Sequence, residues 1–263
     1  MHGNINRKHI QSYMQLTYIF HSGFALEGGQ CVVVFDYWLD PAGVARRLLA
    51  AGKPLYVLAS HFHEDHFCRD IFAWREAGAD VTYLLSKDIL RHRRAARDEA
   101  HAWLAKGGCW HDDRLRVTAA GSTDSGVSWV VEMEGRRVFH AGDLNNWYAR
   151  FLAEGREERV AHSVEWDVDV DPVREEKRYL GELKDLRKLA DGFDVAMFPV
   201  DSRIGNGYTR GARQFLDRFG TGLFVPMHFV AGGFASAWRM RELAAARGAD
   251  FWEIAREGEK REL

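Results

Sequence analysis

Residues 54–67, PLYVLASHFHEDHF, constrain this chain more than any other stretch. An unbroken apolar run of strand length reads as a buried strand. It passes directly into three histidines, a glutamate and an aspartate within the eight positions from Ser60 to Phe67. In an extended segment alternate side chains point the same way, so His61 and His63 are expected to converge on one ion. A turn immediately afterwards would swing Asp65 and His66 toward a second. Imidazole with carboxylate suits zinc first, with manganese or iron as alternatives, and needs no thiolate. The helical HExxH pattern is excluded, because one residue too few separates His63 from His66 and the segment follows a strand. A lone histidine is usually a surface or core residue without metal. Three with an aspartate in six consecutive positions are hard to explain that way.

The rest of the chain is patterned for one large core. With 263 residues, 46% of them hydrophobic and 13% aromatic, the composition is globular. A formal net charge of -2 gives no overall attraction to nucleic acid or to an anionic membrane. No apolar run is long enough to span a bilayer. Cys31, Cys68 and Cys109 show no pairing or metal-binding spacing, which fits a reducing cytoplasm. Residues 1–13 are polar and read as a disordered extension, leaving 14–263 as a single domain.

LTYIF, GFALEG and QCVVVFDYW suggest a strand meander, followed by helix PAGVARRLLAAG, the strand before the histidines, helix CRDIFAWREAGA, strand VTYLL and a helix from about Ser86. RLRVTAAG, GVSWVVEMEG and RRVFHAG then suggest consecutive antiparallel strands. A charged helix from about Asp171 to Ala190 leads into a second alternation: strand VAMFPV, helix RGARQFLDRF, strand GLFVPMH and helix ASAWRMRELAAARG. The terminal GEKREL reads as a charged, frayed helix end.

Two more strand ends carry ligand-type residues. RRVFHAGDLNNW places Asp143 just beyond one strand, and GLFVPMHF places His228 at the end of another. With these in order, the chain resembles the metallo-β-lactamase-fold hydrolases: His61, His63, Asp65 and His66 match their HxHxDH signature, HAGD at Asp143 their bridging aspartate, and His228 their final histidine. The opening IFHSGFALEGGQCVVVFDYW looks most like the branch containing ascorbate-6-phosphate lactonase. The resemblance implies an α/β, four-layer αββα sandwich with a dinuclear site along one edge of two sheets. It also implies two divalent transition-metal ions sharing Asp143, a water held between them as nucleophile, and catalytic roles for Asp65 and Asp143. One departure stands out. The family supplies a further histidine before the aspartate motif, whereas this chain reads AAGSTDSGVSWVV. Asp124 is the best chemical substitute, the alternative being an ordinary turn aspartate, and the first metal site is expected to be weaker, richer in carboxylate, or occupied only when substrate is present.

Around these residues, His21 is either a substrate-facing group or acid, or a strand-end structural histidine. Asn145 and Trp147 are expected to line the cleft. Arg203 either grips an anionic substrate or pairs internally with Asp201. His140 is expected to orient a ligand or pack. The basic run LRHRRAARDEAH reads as a solvated helix face. The leading function is therefore metal-dependent hydrolysis of a small ester, lactone or phosphorylated metabolite, the substrate being small and anionic. The alternatives are a nuclease or phosphodiesterase resembling ribonuclease Z, and a metal-binding or sensor protein without hydrolysis.

Overall fold

A computed structural model describes residues 14–155, 161–163 and 168–263, so the expected extension at 1–13 lies outside the described residues. The chain builds two sheets in turn. Strands β1 (Gln15–Phe20), β2 (Gly23–Glu27) and β3 (Val32–Phe35) form an antiparallel meander. Helix α1 (Val44–Ala51) then carries the chain to β4 (Leu55–Ala59), α2 (Phe72–Glu76) to β5 (Val81–Ser86), and α3 (Lys87–Arg91) to β6 (Ala102–Leu104). From β3 to β6 the pairing is parallel, as helical crossovers require, whereas tight turns gave antiparallel pairs.

The second sheet repeats this plan. Strands β7 (Cys109–His111), β8 (Leu115–Ala120), β9 (Ser128–Met133) and β10 (Arg136–His140) are antiparallel. Then come α4 (Ala149–Ala153), a hairpin of β11 (Ala161–Ser163) and β12 (Val168–Val170), and α5 (Pro172–Leu186). Strands β13 (Gly192–Pro199), β14 (Gly220–Met227) and β15 (Asp250–Phe251) extend the sheet in parallel, joined by α6 (Arg210–Leu216), α7 (Phe234–Ala237) and α8 (Met240–Ala245). A last strand, β16 (Lys260–Glu262), returns to the first sheet, so that the described residues form two mixed seven-stranded sheets beside the separate β11–β12 pair.

Strand parity sets the layers. Val33 and Phe35 face the other sheet together with Tyr56, Leu58, Val117, Trp129 and Val131. Val32, Val34 and Val57 face the opposite way, against Val44 and Leu48 of α1 and Trp74 of α2. Both faces of β3 and β4 are covered, which is why their sequences are continuously apolar. On the far side of the second sheet, Phe215 of α6 stacks on Phe139 of β10 at 5.0 to 5.3 Å from its aromatic neighbours Phe198 and Phe139. Helix α5 begins where Asp171 accepts a bond from the Arg174 amide and Pro172 takes the first turn; its Tyr179 hydroxyl donates to the Gly211 carbonyl of α6 at 2.7 Å. The result is the expected α/β sandwich, helices outside and sheets within.

Several local expectations are corrected. GEKREL is not a helix end: β16 pairs antiparallel with β1, Leu16 opposite Arg261, because the free edge of β1 offers unpaired backbone groups. Its exposed charges blunt that edge against further pairing. The helix expected over ASAWRMRELAAARG is divided at Trp238–Arg239. The histidine segment is not extended, since the amides of His66 and Phe67 both donate to the His63 carbonyl, at 3.1 and 2.9 Å. Among the described residues no helix is long and apolar enough to cross a membrane.

Candidate metal centre

The polar side chains expected at strand ends meet at one edge of the sandwich. His21 follows β1, residues 60–66 follow β4, Asp143 follows β10, Asp201 follows β13 and His228 follows β14. They form two groups, His61 with His63, Asp124 and Asp143, and His21 with Asp65, His66 and His228; within each, one donor atom per residue lies within 4.8 Å of all the others. Asp143 stands between them. Its Oδ2 lies 3.5 Å from His61 Nε2, and its Oδ1 lies 3.2 Å from His66 Nε2 and 3.5 Å from His228 Nε2. Asp124 enters the first group with Oδ2 3.4 Å from His63 Nδ1.

The loop bearing Asp124 reaches this place because two glycines leave room. At Gly126, φ is +65° and a Cβ would sit 1.9 Å from the Ser60 carbonyl oxygen; at Gly142, φ is +52° and a Cβ would sit 2.8 Å from Ser60 Cβ.

Further residues fix the imidazoles from behind. Asp36, at the end of β3, lies 2.7 Å from His66 Nδ1 and accepts bonds from the Ser60 amide and hydroxyl at 2.7 and 2.6 Å. Asp201 Oδ2 lies 2.9 Å from His228 Nδ1 and also accepts from Arg203 Nη2 at 2.6 Å. Ser60 Oγ lies 3.0 Å from His61 Nδ1. With Nδ1 engaged, each ring presents Nε2 inward. His61 Nε2, His66 Nε2 and Asp143 Oδ1 are buried and make no hydrogen bond. Leaving such atoms unpaired is costly, and here they face one another. A pair of divalent cations fits this donor set.

Charge follows the same geometry. Burial opposes charging of His66, but the Asp143 and Asp36 carboxylates outweigh it and hold its pKa well above the usual value. Burial likewise opposes the charge on Asp143, and His66, His228 and His61 overcome it, holding that carboxyl well below its usual range. Loss of hydration, then the like charge of Asp143, pushes Asp124 upward. Burial, reinforced by His66, lowers His61 from 6.5 to about 3; burial, reinforced by His228, lowers His21 from 6.5 to about 4.

These shifts set a pH dependence for the metal-free protein. Between pH 6.5 and about 4 the unfolded chain takes up protons that folded His21 and His61 refuse, so stability falls as pH falls. His66, with its raised pKa, adds stability that is already complete below 6.5 and is lost only as pH rises. The melting midpoint in chelator is therefore expected to drop steadily from pH 6.5 to 4. A flat profile across that window would contradict neutral His21 and His61.

A cleft of about 310 Å³ opens over the cluster, with His63, Asp65, Asp124, Asp143 and His228 at its floor and Trp147, Tyr148, Arg178 and Arg203 around it. Trp147 donates from Nε1 to the Asp143 carbonyl at 2.9 Å, with its ring 5.3 Å from that of His228. Arg203 both pairs with Asp201 and reaches the cleft. Asn145 does not line it: the residue is buried, its Oδ1 accepting from the Asn146 amide at 2.8 Å. His140 packs, stacked on Phe35 at 5.0 Å. A larger depression of about 800 Å³, lined in part by Tyr208, Trp238 and Arg239, includes none of the clustered groups. Sequence reasoning missed Asp36, Ser60, Tyr148 and Arg178. Asp36 carried a usable signal, a carboxylate directly after the apolar run VVVF.

Comparison with known proteins bears on the family and the fold. Residues 15–154 match the family described as Beta-lactamase superfamily domain. A UPF0173 metal-dependent hydrolase of Symbiobacterium thermophilum is 27% identical over 253 residues, covering 89% of this chain and 95% of that protein. The metallo-beta-lactamase fold protein YhfI from Bacillus subtilis shares the fold at a TM-score of 0.62 and 13% identity, over 96% of this chain and 100% of that one. Igni18, a metallo hydrolase from the archaeon Ignicoccus hospitalis, does so at 0.59 and 18%, over 95% and 98%. These likenesses support the superfamily and stop short of the lactonase branch.

Proposed function

The chain belongs to the beta-lactamase superfamily, and from that premise we propose that it is a metal-dependent hydrolase of a small, anionic ester, lactone or phosphorylated metabolite. The observation that carries this reading is the division of Asp143, whose two oxygens face two different groups of ligand-type side chains. His61, His63, Asp124 and Asp143 would hold one divalent ion, and Asp65, His66 and His228 with Asp143 the other, zinc being the first expectation and manganese or iron the alternatives. Bound there, such ions supply Lewis acidity and lower the pKa of water into the neutral range.

The chain's own groups do the rest. Burial opposes ionisation of Asp65, but His21 and His66 outweigh it and keep its carboxylate charged, so it can accept a hydrogen bond from the attacking water and orient it. Asp36 and Asp201 hold His66 and His228 in the tautomer that presents Nε2. Trp147 lines the cleft with its ring 5.3 Å from that of His228. Arg178 and Arg203 offer planar forks for an anionic group at the rim. A volume of about 310 Å³ suits a small molecule and favours a metabolite over a nucleic-acid strand.

The test is a panel of lactones, carboxyl esters and phosphate mono- and diesters, matched in size with and without an extra anionic group, assayed with zinc, manganese and iron. Hydrolysis is expected, with the anionic member of a pair preferred. No turnover of any class by the folded, metal-replete protein would contradict it. Arg178→Ala is expected to lower kcat/KM for the anionic member by roughly tenfold, a modest effect because the side chain is half exposed beside Glu175, and to leave the neutral member unchanged.

Asp124 has its own test. Asp124→Ala should weaken one equivalent of metal and spare the other, and Asp124→His should retain or tighten zinc, both read by metal titration. Unchanged affinity in Asp124→Ala would return Asp124 to the role of a turn residue.

A further inference from the structure

We propose that His21 is a third imidazole donor to the second ion, which would make that site closed and leave the first as the one that meets substrate. The proposal rests on the two-ion reading above. It is carried by a contrast between two buried strand-end histidines.

His140 shows what a structural histidine looks like in this molecule. Its Nε2 lies 2.8 Å from the Ser22 carbonyl oxygen and its Nδ1 accepts the Gly142 amide at 3.2 Å, so both nitrogens are used. His21 is also buried, yet neither of its ring nitrogens makes a hydrogen bond. A buried imidazole in a packing role satisfies at least its N–H. His21 instead brings Nε2 to 3.2 Å from Asp65 Oδ2 and its ring centroid to 4.0 Å from that of His228 and 5.7 Å from that of His66.

The backbone is arranged to keep it there. His21 has φ +55° and His228 φ +60°, a left-handed region that few non-glycine residues occupy, although histidine, asparagine and aspartate enter it several times more often than the rest. The His228 amide donates to the His21 carbonyl at 3.3 Å, and the His21 amide donates to the Tyr18 hydroxyl at 2.9 Å. Two residues in an uncommon conformation are thus tied to each other with their rings together, the kind of local strain that clusters at functional sites.

The consequence is an asymmetric pair. With His21, the second ion has five protein donors counting the shared Asp143, one more than the four of the first, so it is the more completely filled of the two. The first group has three of its own; His63 and Asp124 line the cleft, as Asp65 and His228 of the second group also do, but are the more exposed, at 41% and 42% against 34% and 3%. Exchange with solvent and substrate then belongs to the first ion, and retention to the second.

Cobalt(II) titration of the full chain tests this, read by visible absorption and by equilibrium affinity rather than turnover. Wild type should bind two equivalents, one held much more tightly. His21→Asn, whose residue tolerates positive φ, should weaken the tight equivalent by more than about 100-fold, beyond the 10–100-fold that loss of an outer-shell partner costs. It should also change that equivalent's visible spectrum. His21→Cys should introduce a thiolate-to-cobalt charge-transfer band. Unchanged affinity and spectrum in His21→Asn would overturn the proposal while leaving the two-ion reading in place. Wild type that binds no cobalt while folded would overturn both.

Discussion

Asp143→Ala is expected to lower kcat/KM on the order of a thousandfold or more, while the sandwich stays folded by circular dichroism. The two oxygens of Asp143 face different groups: Oδ1 approaches His66 and His228, and Oδ2 approaches His61. Removing it takes one donor from each proposed ion at once. The carboxylate also raises the pKa of His66 in the metal-free state while His66 lowers that of Asp143, so its loss unbalances a buried pair. Metal content measured beside the rate separates loss of ions from loss of chemistry. Turnover preserved in the alanine variant would place the reaction elsewhere.

The second large effect belongs to Asp36, which never reaches the cleft. Its carboxylate is fully buried, takes both Ser60 donors and His66 Nδ1, and sits at φ +41°. Asp36→Ala strands those partners and places alanine in a conformation it disfavours. The expected loss is about 3–5 kcal/mol of stability, or roughly 10 °C in melting midpoint. Asp36→Asn keeps the shape and tolerates the backbone, but changes what His66 Nδ1 meets. It is expected to fold with a small loss and to weaken metal binding about 10–100-fold. If both variants matched wild type in midpoint and metal affinity, Asp36 would be a bystander.

The fold was legible wherever sequence pattern and tertiary surroundings agree. VVVF and LYVLA are apolar at every position because each strand is covered on both faces, and helix α5 declares its start with Asp171 and Pro172. Lys260–Glu262 was not legible, because its strand character comes from the free edge of β1, a partner more than 240 positions away in the chain. Much of the site could be placed by one rule, a ligand-type residue just beyond an apolar strand. The rule located Asp65, Asp143 and His228, and applied to VVVFD it also reaches Asp36. It does not reach Arg178, which lies within a charged helix and is marked only by where α5 lies over the cleft. Nor does it separate Trp147 from Asn145 two positions earlier: both follow the same strand, and only the turn after Asp143 decides which one faces the cleft.

Anomalous diffraction from zinc-loaded crystals tests the two-ion claim most directly. Two peaks are expected at the sandwich edge, one among His61, His63 and Asp124 and one among Asp65, His66 and His228, with the carboxylate of Asp143 between them and one oxygen toward each. A single peak with Asp143 turned away, or ions bound only outside these residues in a folded protein, would contradict it.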